Sequence, residues 1–261
     1  MRTYLVVGAS RGIGLGLVAE LLKDGTTHVF ATARVANSST GLQELVATYS
    51  SRLTILECDA TDAASVERAA SDAAALLPDG QGLDCLIHNA AISQSFFTPF
   101  EQIDTATFQH ELTTNIVGPL IAARAFLPLL RKSAQKQSSA LGSESETKLV
   151  FVSSDLGSVE EAPTYVGLGD MYSVTKAGLG MLARKWGTSL KAEGICTVLL
   201  HPGYVDTDMA SHITEWVKEN KPHVPRISVE ECATLCLGVI HKARIEDAVS
   251  FYVNDGSTMP W

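Results

Sequence analysis

The sequence predicts an α/β fold: a mostly parallel, doubly wound sheet of about seven strands with helices on both faces. Three observations predict it. Short apolar runs alternate strictly with helical patterns along all 261 residues. The runs are continuously apolar, as in Leu5-Val6-Val7 and Val198-Leu199-Leu200, which is what strands buried on both faces require. Nearly half of the residues are apolar, enough for one large core, so residues 1–261 are expected to form a single domain.

The elements follow in order. Strands are expected at Tyr4–Val7, His28–Thr32, Leu53–Glu57, Asp84–His88, Leu149–Ser153, Ile195–Leu200 and Val249–Val253. Helices are expected at Gly12–Lys23, Leu42–Tyr49, Ala63–Leu77, Thr107–Lys132, Met171–Glu193 and Val229–Ala243. Ser133–Lys148 is polar and aperiodic and reads as a mobile surface loop that the chemistry can dispense with. There is no internal repeat.

Composition excludes some functions. A net charge of −9 disfavours a phosphate backbone as partner, so no nucleic acid is expected. Pro119, Arg124 and Pro128 interrupt the longest apolar stretch, Ile116–Leu130, and no targeting segment is visible, so no membrane association and a cytoplasmic location are expected. Cys58, Cys85 and Cys196 sit in apolar runs and read as small buried hydrophobes. Cys232 and Cys236 share one helix face, but two thiolates make a poor metal site, and no metal is expected.

The segment Gly8-Ala9-Ser10-Arg11-Gly12-Ile13-Gly14 joins the first strand to the first helix. In that setting glycines allow a tight turn and close approach to phosphates, while the helix N-terminus offers free N–H groups and partial positive charge. A dinucleotide cofactor is therefore expected here, in a Rossmann-type arrangement. A second motif, Tyr172-Ser-Val-Thr-Lys176, places a phenol and an ammonium one helical turn apart on one face. The cation should lower the tyrosine pKa, and such a phenol can pass a proton to a carbonyl oxygen or take it back. No other tyrosine has a lysine four residues later. Taken alone, the pair could equally be a half-buried Tyr and a solvated Lys on a surface helix.

The G-x-x-x-G-x-G spacing and the Y-x-x-x-K pair together resemble the short-chain dehydrogenase/reductase family. One departure is Val7, where the family often has a threonine whose hydroxyl adds a hydrogen bond. The resemblance implies a role for Ser154, the second of two serines closing the fifth strand, in binding the substrate oxygen. It implies that Asn115 supports a water relaying protons through Lys176, and that Lys176 also holds the nicotinamide ribose. It further implies adenine contact at Asp59 and Ala60, cofactor contact at Asn89 and Ala90, and a nicotinamide site at Pro202, Gly203, Val205 and Thr207. The segments His201–Met209 and Asp255–Trp261 resemble the branch that holds sniffer-type carbonyl reductases, C-factor-like proteins and norsolorinic acid ketoreductase-like enzymes. Family members often pair through long helices, so a homodimer or homotetramer is expected.

Coenzyme choice follows from the second strand, which ends Thr32-Ala33-Arg34 with no acid between Asp24 and Glu44. An acid there would hold a ribose 2′-hydroxyl, whereas a guanidinium suits a 2′-phosphate, so NADP(H) is expected with Arg34 and Arg11 as its contacts. The expected activity is reduction of a ketone or aldehyde, with Tyr172 as proton donor. Phe96, Phe97, Tyr204, Met209 and Trp216 suggest an apolar or aromatic substrate, lined by Ser93–Phe97, Asp155–Asp170 and Met209–Val224. Two other readings stand beside it: a non-catalytic NADPH-binding sensor, and a family member with epimerase or dehydratase chemistry.

Overall fold

The computed structural model describes residues 1–139, 147–247 and 249–261. Seven strands form one sheet: β1 (Arg2–Val7), β2 (Thr27–Ala33), β3 (Leu53–Glu57), β4 (Cys85–His88), β5 (Thr147–Val152), β6 (Ile195–His201) and β9 (Phe251–Val253). Their order is β3-β2-β1-β4-β5-β6-β9 and every neighbouring pair is parallel. The expected α/β fold is thus present. Alternate strand residues enter two separate cores. Tyr4 and Val6 pack with Leu17, Leu21 and Ile240 on one face. Leu5 and Val7 pack with Phe126, Leu130 and Leu179 on the other.

The first face is covered by α1 (Gly12–Lys23), α2 (Thr40–Tyr49) and α9 (Val229–Lys242). The second is covered by α3 (Ala63–Leu76), α5 (Gly118–Ser139) and α6 (Asp170–Lys191). Cys58, Cys85 and Cys196 are buried, and the Cys232 and Cys236 sulfurs lie 3.8 Å apart on α9.

Three expectations change. The helix expected over Thr107–Lys132 is not regular: α4 (Thr105–Leu112) passes through a π-helical turn, Thr113–Val117, into α5. The whole run Thr105–Gln137 is long and apolar enough, by length and composition, to cross a membrane, despite Pro119, Arg124 and Pro128. Here Ala122, Phe126 and Leu130 on it are buried in the core.

The segment Ser133–Lys148 is not a loop throughout. α5 continues to Ser139 and β5 starts at Thr147, while 140–146 lie outside the described residues. Asp84 explains both ends. Its carboxylate accepts from Thr3 N at 2.8 Å, from the Ser133 hydroxyl and from Gln137 Nε2 at 3.1 Å. Thr147 Oγ1 then donates to Gln137 Oε1 at 3.1 Å, and buried Lys148 donates to the Ala243 carbonyl. Ser133, Gln137, Thr147 and Lys148 thus serve bonds inside the fold, although their side chains read as those of a loop.

The third change lies after β6. The chain forms β7 (Tyr204–Val205), α7 (Asp208–Ser211), α8 (Thr214–Asn220) and β8 (Arg226–Ile227), and β7 and β8 pair in parallel. These elements are too short for a periodic signal.

Candidate active site

The glycine turn has the backbone the sequence demands. Gly8 and Gly12 have φ of +80° and +55°. A Cβ on Gly8 would lie 2.7 Å from Ala90 Cα, and one on Gly14 would lie 2.1 Å from the Gly8 carbonyl oxygen. Asn89 fixes that carbonyl, its Nδ2 donating to Gly8 O at 2.9 Å. A further bond holds the turn to β2: Gly8 N donates to Thr32 Oγ1 at 3.0 Å. Thr32 is buried on β2 and no motif announces it.

α1 begins without a side-chain cap and without an acid in its first turn. By contrast Ser39, Asp62, Asp104 and Ser228 cap α2, α3, α4 and α9. An uncapped helix start behind two positive-φ glycines fits an anionic ligand such as a pyrophosphate.

The other expected cofactor residues lie at the carboxyl ends of the strands. Arg34 is exposed just after β2. Ser10 is exposed, and its carbonyl accepts from Ser39 Oγ at 2.6 Å. Arg11 is exposed and bridges to Asp208 at 2.7 Å. Asp59 accepts from the Thr61 hydroxyl and amide at 2.7 and 2.9 Å, which holds its carboxyl below the usual range. The Ala60 carbonyl abuts Gly118, where a Cβ would sit 3.0 Å away. Asn254 Nδ2 donates to the Pro202 carbonyl at 2.8 Å, and Gly203 turns with φ +88°. Ile13, Val205 and Thr207 line one cavity with Tyr172, and a Cβ on Gly12 would reach Thr207 Cγ2 at 3.5 Å. Glycine turn and nicotinamide-side residues therefore face each other.

Asn115 stands in the π turn and is 1 % exposed. Its Nδ2 donates to Ile92 O at 2.8 Å and Thr175 Oγ1 at 2.9 Å, and its Oδ1 accepts from Ile92 N at 2.9 Å. It thereby ties the turn to the loop after β4 and to α6. Lys176 on α6 is buried, donates to Val152 O at 2.8 Å and lies 5.5 Å above the Tyr172 ring centre. Burial pulls its pKa down to about 7.

The expected lowering of the Tyr172 pKa is not found. Burial pushes the phenol up, and the Asp155 and Glu111 carboxylates push it further. A lysine drawn towards neutrality cannot outweigh a desolvated phenol flanked by two acids. His88, buried beneath with Nε2 unbonded, is pushed down to about 3 by burial and by Lys176.

Ser154 closes β5 beside a residue the motifs did not flag. Asp155 accepts from Ser154 Oγ at 2.9 Å, Tyr165 Oη at 2.6 Å and Leu156 N at 2.9 Å. His201 Nδ1 accepts from Asp155 N at 3.0 Å. Burial alone would raise the Asp155 carboxyl, but the His201 ring and the Tyr165, Ser154 and Leu156 donors outweigh it and hold it below the usual range. The sequence marks it only as one end of the expected substrate lining, and it does line the cavity.

Ser154, Asp155 and Tyr172 open on a cavity of about 150 Å³. Of the five aromatic and apolar residues expected to line it, Phe96, Tyr204, Met209 and Trp216 do, while Phe97 is half exposed and lies outside. Tyr165 stacks on Trp216 with ring centres 6.0 Å apart, and Lys221 Nζ lies 4.4 Å above the Tyr165 ring. Residues 160–170 and 204–227 thus meet over the cavity.

A glycine-turn nucleotide cradle facing a Ser, Tyr and Lys constellation defines the class of α/β oxidoreductases with one shared cofactor and substrate cleft. The short chain dehydrogenase family model matches residues 2–218, and the chain belongs to that family. It is 30 % identical over 267 residues to an uncharacterised oxidoreductase of Schizosaccharomyces pombe, covering 100 % of this chain and 98 % of the relative. Among solved structures it is similar to an NADPH-bound carbonyl reductase from chicken fatty liver. That match has 33 % identity and a TM-score of 0.86, covering 100 % of this chain and 99 % of the other. It is also similar to the carbonyl reductase Sniffer of Drosophila melanogaster, with 28 % identity, a TM-score of 0.87 and full coverage of both chains. The expected likeness to sniffer-type reductases is therefore present.

Proposed function

We propose that this protein is an NADPH-dependent carbonyl reductase that converts a ketone or aldehyde to an alcohol. The observation that carries the reading is the convergence of Tyr172, Ser154 and the nucleotide-side residues Ile13 and Thr207 on one partly apolar cavity. Bound NADPH would supply the hydride. The Ser154 hydroxyl would hold the carbonyl oxygen, and Tyr172 would give that oxygen its proton. A phenol whose pKa is raised stays protonated at neutral pH, which suits reduction. Buried Lys176 sits one turn away, its ammonium on the Val152 carbonyl and 5.5 Å from the Tyr172 ring centre, and would hold the ribose as the family resemblance implies.

NADPH rather than NADH is supported by Arg34 just after β2, by Arg11 in the glycine turn and by the absence of an acid between Asp24 and Glu44. The Arg11–Asp208 pair is exposed on both sides, so a 2′-phosphate could compete for the guanidinium at little cost. The test is NADPH consumption with a panel of aldehydes, aromatic ketones and quinones, repeated with NADH. Turnover with no carbonyl compound would refute the reaction. Equal or better efficiency with NADH would refute the coenzyme.

A further inference from the structure

Asp155 gives the cavity a property that carbonyl reduction does not need. The donor expected to bind the substrate oxygen, Ser154 Oγ, has one proton, and that proton is directed to Asp155 Oδ1 at 2.9 Å. The carboxylate is 30 % exposed and lines the cavity. Its other oxygen is taken by Tyr165 Oη at 2.6 Å, and Oδ1 otherwise receives only the Leu156 amide at 2.9 Å. His201 Nδ1 stands 3.7 Å from Oδ1 and already accepts the Asp155 amide.

A simple ketone that takes the Ser154 proton therefore removes one of the partners of an ionised oxygen in a largely apolar pocket. That is costly, because hydrogen bonds to charged groups are the strong ones. A substrate that brings its own donor avoids the cost. Ser154 Oγ and Asp155 Oδ1 are 2.9 Å apart, a donor and an acceptor side by side. The carbonyl and hydroxyl oxygens of an α-hydroxy ketone lie at a similar spacing, about 2.8 Å, and can meet that pair with two roughly parallel bonds.

We propose that Asp155 is a specificity-determining residue that selects ketones bearing a hydroxyl on the carbon next to the carbonyl. The substrate hydroxyl takes over the carboxylate bond that Ser154 makes here, and the freed serine hydroxyl donates a hydrogen bond to the carbonyl oxygen, whose proton still comes from Tyr172. The remainder of the substrate is apolar or aromatic, since Phe96, Leu168, Met209, Ile213 and Trp216 form the far wall. This rests on the carbonyl reductase reading for its turnover test, but its binding test does not.

The probes are phenacyl alcohol, an α-hydroxy ketone, and its methyl ether, which loses the donor and carries one methyl group more. The expected kcat/KM ratio, alcohol over ether, is about tenfold or more in the native protein. It should fall towards one in Asp155→Asn, which keeps the shape and loses the charge. Tyr165→Phe removes a competing donor from the same carboxylate, so it should hold or raise the ratio. It serves alone if the Asp155 variant fails to fold. A native ratio near one, an unchanged ratio in Asp155→Asn, or a fall in Tyr165→Phe overturns the assignment. If neither ketone is reduced, the reductase reading fails by itself. Dissociation constants of the two probes, read from tryptophan fluorescence, then decide Asp155: tighter binding of the alcohol that is lost in Asp155→Asn supports it, and equal binding overturns it.

Discussion

Tyr172 and Lys176 separate chemistry from stability at the scale of single residues. Tyr172→Phe removes only the hydroxyl, so NADPH should bind with near-native affinity while carbonyl reduction falls by at least about a hundredfold. Titration of cofactor fluorescence beside a turnover assay reads both, and near-normal turnover would remove the proton-donor role. Lys176 predicts a pH effect on folding. Its pKa is about 7 in the folded protein against an ordinary 10.5, so between these values unfolding takes up a proton. Raising the pH therefore disfavours unfolding, and the cofactor-free protein should gain up to about 2 kcal/mol between pH 7 and 9 from this group. Chemical denaturation of the native protein and Lys176→Met at the two values checks it. The native protein should gain more than the variant, and parallel changes would refute the shift. Coenzyme choice is also decided at this scale. Ala33→Asp with Arg34→Ala should move the efficiency ratio from NADPH towards NADH, because a carboxylate repels a 2′-phosphate and binds a 2′-hydroxyl.

Among the elements, the turns and helix junctions hold the site. Thr32→Val keeps the shape of the side chain but leaves Gly8 N without its acceptor. We expect a loss of about 1 kcal/mol of stability and weaker dinucleotide binding, measured by denaturation and calorimetry. Asn115→Ala strands the Ile92 amide and carbonyl together, at about 1–3 kcal/mol for each group that stays unpaired, and should lower the melting temperature along with turnover. The contrast between these elements explains what the sequence can and cannot reveal. The strands were legible because burial on both faces makes them continuously apolar, α1, α3, α6 and α9 because burial of one face imposes a period, and Tyr172–Lys176 because a helix fixes the spacing of its own residues. Thr32 was not, since its bond to Gly8 spans 24 residues, and Asp155 was legible only as one end of the expected substrate lining, because Tyr165 and His201 reach it only through the fold. The π turn was hidden for another reason: one extra residue in a helical turn leaves both flanking patterns intact. Ser133, Gln137 and Lys148 misled because hydroxyl, amide and ammonium groups read as solvent-facing, although Asp84 and Ala243 draw them inward.

On the scale of the whole molecule, the site is a seam between parts of unequal rigidity. One side is the seven-stranded sheet, with its central strands almost wholly buried between two cores. The other is residues 204–227, in which no helix exceeds seven residues and Val205 and Val217 are the only buried hydrophobics. Amides of 206–225 should exchange with solvent much faster than those of β6 in the free protein, and NADPH should slow them. Equal protection would mean that this segment is as rigid as the sheet. The segment is also closed at its neck. Tyr204 pairs with Arg226 and Val205 with Ile227, Asp206 N donates to Ile227 O at 2.9 Å, and Arg226 bridges to Asp206 at 2.6 Å. Because the ends are already joined, the length between them can change at small entropic cost, each doubling adding only about 0.6 kcal/mol. The protein therefore carries an exchangeable cassette: descendants could lengthen, shorten or replace the stretch between Ser211 and Arg226, and so acquire new substrates, while the glycine turn, Thr207, Tyr172 and Lys176 are inherited unaltered.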